Sequence, residues 1–161
     1  MSQSPTTFST FVEEWDVYQS NLVKAITPLT PEQLELRAAP HLWSLGTIGA
    51  HIVAARAYWF HHVMGEGDAA FGALRKLDEQ DNYRADEIVR GFETSWSLMR
   101  DCWARWTPEV FAEPAFPRTW QGQQYMLSRE WVTWHLLEHD LNHGGEISLL
   151  LGMHHLPAHF D

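Results

Sequence analysis

His139 and His143 stand four residues apart in a stretch whose apolar residues recur at helical spacing. On a helix, that offset puts both side chains on one face, with Cβ atoms about 6 Å apart. Two imidazoles so placed can share one ion at bonds of ~2.1 Å, which is the geometry of a chelate for zinc or iron. His51 lies three residues after Ile48 and four before Ala55, on or beside the apolar face of another predicted helix, where it can complete a three-histidine site across a bundle. The competing reading is a set of ordinary helix-face histidines. His135 extends the same stripe one turn earlier, as a supporting or packing residue rather than a ligand. His61 and His62 close the helix of His51 and read as packed or exposed. His154, His155 and His159 sit in a tail, where exposure is expected.

Other chemistries fail on spacing. No Glu is followed three residues on by His, so the paired Glu-x-x-His of di-iron carboxylate bundles is missing. His-Glu-x-x-His, Gly-x-Ser-x-Gly, a phosphate-binding loop and a dinucleotide fingerprint are missing too. Cys102 falls in an apolar stripe and reads as an inert core thiol. Glu138 and Glu146 lie on the helix of His139 and His143, where they can orient the imidazoles or simply face water.

The elements that must position these residues are helices. Phe8, Phe11, Val12, Trp15, Leu22, Val23 and Ile26 predict a first helix over 7–26, stopped by Pro28 and Pro31. A short turn is expected over 31–36. Leu45, Ile48, Ile52, Ala55 and Trp59 predict a second helix, capped by Ser44 or Thr47 and ending near Gly65. The segment 66–81 reads as a connection and a mobile lid. Ile88, Val89, Phe92, Trp96, Met99, Cys102, Trp103 and Trp106 mark a third helix. After an irregular stretch with Pro108, Pro114, Pro117 and Gly122, a fourth helix begins near Ser128 and ends near Gly152. Gly144-Gly145 inside it is its weak point, since each glycine costs about 1 kcal/mol relative to alanine. No strand alternation is visible. The expectation is an all-α four-helix bundle, with residues 1–161 as a single domain.

Eleven basic against twenty-one acidic residues give a formal charge of −10, which argues against nucleic acid as a ligand. No stretch approaches the ~18 apolar residues of a spanning helix, and the first residues lack the pattern of a secretion signal. A soluble, cytoplasmic protein acting on a small molecule is expected. Nine Trp, eight Phe and four Tyr suit a lined cavity. With Trp103 and Trp106 as a self-complementary patch, they also suit a homodimer.

The motifs Trp43-Ser44-Leu45-Gly46-Thr47-Ile48-Gly49-Ala50-His51 and Leu137-Glu138-His139-Asp140-Leu141-Asn142-His143-Gly144-Gly145-Glu146-Ile147 resemble the DinB/YfiT-like superfamily, in order and over nearly the whole chain. The resemblance implies a four-helix bundle in which His51, His139 and His143 bind a divalent metal such as zinc or nickel, with iron or manganese as alternatives. It also implies a thiol-dependent transferase or isomerase with a low-molecular-weight thiol as co-substrate. A three-ligand site leaves open positions for a thiolate or water, which extends the expectation to an S-transferase or a hydrolase; the competing expectation is a non-catalytic metal-binding protein of stress responses. The family's usual His-Arg-Gly-Gln run stands here as His143-Gly144-Gly145-Glu146.

Overall fold

The computed structural model describes residues 7–158 and 160. His159 and the first six residues lie outside them.

Two long helices, Leu45–Ala57 and Arg129–Met153, begin where a serine side chain takes up a free N–H group, whereas a third, Ala85–Arg105, opens without such a cap. Helix α1 (Thr7–Ile26) ends before Pro28, and a capping box then opens the short α2 (Pro31–Leu34). There the Gln33 N–H donates to Thr30 Oγ1 at 3.3 Å, and the Thr30 N–H to Gln33 Oε1 at 3.0 Å. Ser44 caps α3 (Leu45–Ala57), and Ser128 caps α7 (Arg129–Met153), in both cases by accepting from the third residue onward. Helix α3 runs on through a wider π turn, Tyr58–Val63, which carries Trp59 and Phe60. Then come α4 (Ala69–Ala73), a 3-10 turn (Leu74–Glu79), α5 (Ala85–Arg105) and α6 (Pro108–Ala112).

Helices α5 and α7 and the 3-10 turn pack on α3, while α1 packs on α5 and α7. Ten of the thirteen residues of α3 are buried, as expected of a central helix with apolar residues on all sides. The core has two apolar clusters. One gathers Leu22, Ile26, Leu45, Ile52, Ile88, Phe92 and Leu151, and the other Trp15, Phe60, Trp96, Met99, Trp103 and Leu136. Between them lies Arg56, its guanidinium 5.7 Å from the Phe92 ring and 5.8 Å from the Trp96 ring.

Three expectations are corrected. The chain is mostly helical but not all-α, because strands β1 (Phe116–Trp120) and β2 (Gln123–Leu127) form an antiparallel hairpin. Both strands are exposed along almost their whole length, so no inside–outside alternation exists to be read. Their two-residue turn, Gln121-Gly122, has φ of 48° and 77°, the double left-handed backbone that lets a tight hairpin keep its twist. Three short helices and this hairpin thus separate the fold from a plain four-helix bundle. The segment read as a mobile lid is instead α4 and the 3-10 turn, the latter packed on α3. Finally, Trp103 is buried, and Trp106 stacks on Phe60 with ring centres 5.8 Å apart, so neither offers the exposed patch expected of them.

Candidate metal centre

The sequence of α3 places two functional side chains five residues apart, His51 and Arg56, and α7 carries His139, Asp140 and His143. Packing α3 on α7 brings His51, His139 and His143 together: one ligand nitrogen from each lies within 4.8 Å of the other two. Three imidazoles converging at that distance could hold a metal ion.

Two of the rings are held by carboxylates. Nδ1 of His51 lies 2.8 Å from Asp78 Oδ2, and Nδ1 of His143 lies 2.7 Å from Glu146 Oε2. An ionised carboxylate only accepts, so each Nδ1 carries the proton and donates it. That fixes the tautomer and leaves the Nε2 lone pair of both rings free, the arrangement that outer carboxylates impose on metal-binding histidines. The third ring differs. Nδ1 of His139 is buried with no hydrogen-bond partner among the described residues. A buried polar atom without a partner is costly, and a ligand to it would remove that cost. Burial pushes the His139 imidazole down to about 3, with the neighbouring His143 and His51 adding to the shift. It is therefore neutral near pH 7, the form that binds metal. The donor set thus fits a divalent ion.

Asp78 was not singled out in the sequence, and no local signal marks it. It stands 27 residues from His51 on the 3-10 turn, held there by Tyr83, whose hydroxyl donates to the Asp78 carbonyl at 3.0 Å. Gly46 makes this possible. A Cβ there would meet the Tyr83 ring at 2.7 Å. Glu146 is legible, being one turn after His143, whereas Glu138 is exposed to solvent.

Below the histidines lies a buried polar layer. Arg56 donates from Nη2 and Nε to Asp140 Oδ2 at 2.6 and 3.1 Å, and from Nη1 to Gln19 Oε1 at 2.7 Å and Ser95 Oγ at 3.2 Å. Trp15 Nε1 donates to the same Asp140 oxygen at 2.9 Å. Burial pushes the Asp140 carboxyl up, and Arg56 and Trp15 pull against that shift. Neither member of this pair touches solvent.

Among the described residues, the other histidines do not join the cluster. His135 sits between Trp59 and Trp131, each ring centre 5.0 Å away. The imidazoles of His61 and His62 lie against backbone carbonyls, of Glu66 at 3.0 Å and Gly72 at 3.3 Å. His154 is half-buried and His155 exposed. Above the site, Trp43 lies 4.7 Å from the His51 ring and 6.0 Å from that of His143.

The helix-pair glycines have separate reasons. A Cβ on Gly144 would strike the Tyr18 hydroxyl at 2.0 Å, while one on Gly145 would meet nothing within 4 Å. Tyr18, which donates to the Leu141 carbonyl, therefore requires the first glycine and not the second.

No curated protein matches the chain in sequence. Its fold is similar to that of a DinB-like protein from Bacillus cereus known from a crystal structure, with a TM-score of 0.67, 20% identity, and 92% of this chain and 93% of that one covered. The sequence profile of the DinB superfamily matches residues 14–147, which span both histidine motifs and every long helix core. By that match, the chain belongs to the DinB superfamily.

Proposed function

We propose that this protein is a metal-dependent enzyme in which His51, His139 and His143 hold one divalent ion, zinc or nickel before iron or manganese, on a DinB-type four-helix frame of α1, α3, α5 and α7. The observation that carries this reading is the pairing of converged ligand nitrogens with Nδ1 protons fixed on Asp78 and Glu146. Such an ion, when bound with an open position, acts as a Lewis acid that makes a thiol or water nucleophilic at neutral pH. Asp78 and Glu146 hold the ligand protons. Trp43 lies against the rings of His51 and His143. The reaction we assign is S-transfer from a low-molecular-weight thiol, or hydrolysis.

The alternative, a non-catalytic metal-binding stress protein, would have no polar groups converging beside the histidines. A cleft bordered by Arg118, His135 and Glu138 lies one helical turn from His139, which favours the enzyme. Elemental analysis of purified variants tests the site: His139→Ala and His143→Ala lose the metal, and the exposed His155→Ala keeps it. Unchanged stoichiometry in both ligand variants would overturn the reading. Turnover of electrophiles that needs both metal and thiol then separates enzyme from binder.

Cytoplasmic location and a homodimer belong to the same proposal. Among the described residues no helix is long and apolar enough to cross a membrane. An apolar groove between α1 and α7, with Phe11 and Trp134 exposed at it, offers the dimer surface that Trp103 and Trp106 do not. Light scattering after size exclusion decides this; a mass of 18.6 kDa at micromolar concentration rejects the dimer.

A further inference from the structure

We infer that the cleft between the β1–β2 hairpin and α7 is a binding site for a small aromatic molecule carrying one negative charge. The cleft measures about 640 Å³, within the range of small-molecule sites. One face of the hairpin supplies Arg118 and Trp120 from β1 and Tyr125, the cross-strand partner of Arg118, from β2. Helix α7 supplies Trp131, His135 and Glu138, at offsets of four and three that share one side of the helix.

Three large rings are left open to solvent here: Trp120 is 62% exposed, Tyr125 46% and Trp131 36%. Grouped around one concavity, they offer stacking faces for a planar ligand. Arg118 supplies the charge. Its guanidinium lies 4.6 Å from the centre of the Trp59 ring, and no carboxylate among the described residues comes within ion-pair distance of it. Stacking occupies a face of the guanidinium and leaves its in-plane N–H groups for an anion. In a chain with nearly two acids for each base, an arginine held this way against a buried tryptophan selects for anionic ligands. Glu138 borders the same cleft and disfavours a second negative group.

The site adjoins the histidine cluster, since the His135 ring is 6.2 Å from that of His139. That the occupant is the substrate rests on the proposed function; that it binds does not.

Calorimetry with 2-naphthoate and its neutral isostere 2-naphthamide tests the inference, on metal-loaded and metal-stripped protein with metal content assayed separately. One naphthoate is expected per chain. Arg118→Gln should weaken naphthoate at least about tenfold and naphthamide less than about threefold, as expected for a charge-assisted contact. Arg118→Lys, which keeps the charge, should retain naphthoate binding, Tyr125→Ser should weaken both probes, and Phe11→Ser, in the other groove, neither. No naphthoate binding at millimolar concentration, or equal effects of Arg118→Gln on both probes, overturns the inference. Naphthoate binding that persists in a protein unable to hold metal leaves this cleft standing while the three-histidine reading falls, and metal retained without naphthoate binding does the reverse.

Discussion

Arg56 follows His51 by five residues on α3 and Asp140 follows His139 by one on α7, so the buried ion pair of Arg56 and Asp140 ties together the two helices that bring the histidines to one point. Adjacent residues on a helix point about 100° apart. Asp140 can therefore anchor α7 in the core while His139 faces the site.

Breaking that pair from one side strands a charge among the tryptophans. Arg56→Met or Asp140→Leu alone is expected to cost about 3–5 kcal/mol, and the double variant less than the sum, because no unpaired charge remains. Chemical denaturation of the three variants measures it. Additive losses would mean that the two side chains contribute independently.

Asp78 acts on the site through His51. Asp78→Asn is expected to lower metal affinity roughly 10- to 100-fold, because the amide no longer holds the Nδ1 proton as an anion does. Competition against a chromophoric chelator reads the affinity, and Glu79→Gln, on the same turn and exposed, serves as the control. Equal affinities in both variants would remove Asp78 from the site.

Gly144 and Gly145 of α7 should respond in opposite directions. Gly144→Ala meets the Tyr18 hydroxyl and should lower the melting temperature, whereas Gly145→Ala has open space and should raise stability by up to about 1 kcal/mol. Thermal unfolding of both distinguishes them. A stabilised Gly144→Ala would contradict the contact with Tyr18.

Acid should act on the metal-free protein through His139. Its folded value is pushed down to about 3 from 6.5, so the native ring stays neutral where the unfolded ring takes a proton. The stability that follows from a neutral ring is fully present above about pH 6.5 and is lost progressively as pH falls from there toward 3. The melting temperature of the metal-free wild type should drop over that interval more steeply than that of His139→Gln. Parallel profiles would show that His139 is not the group responsible.

The long helices were legible because each buries one side in the shared core or, for α3, nearly all sides, and burial leaves a period of apolar residues. Where burial is missing the signal is missing. Phe116–Trp120 and Gln123–Leu127 pair through backbone and turn geometry with all but Phe116 and Leu127 turned to solvent, so Gly122 read as loop punctuation when it closes a hairpin. His51, His139 and His143 could be picked out from helix-face spacing and motif. Asp78 could not, because its link to His51 is made by tertiary packing of a six-residue 3-10 turn, with Tyr83 in the space left by Gly46. Arg56 and Asp140 looked like ordinary polar residues within helices, and only the depth at which α3 meets α7 makes them a pair.

The hairpin meets the rest of the fold along one face and ends in a solvent-exposed turn at Gln121-Gly122, where added residues would displace no packed side chain. Its length and ring content can therefore drift among descendants of this gene while α3 and α7 stay under strict selection. Divergence in what such proteins accept is expected to be written first in these ten strand residues, and last in the helices that hold the histidines.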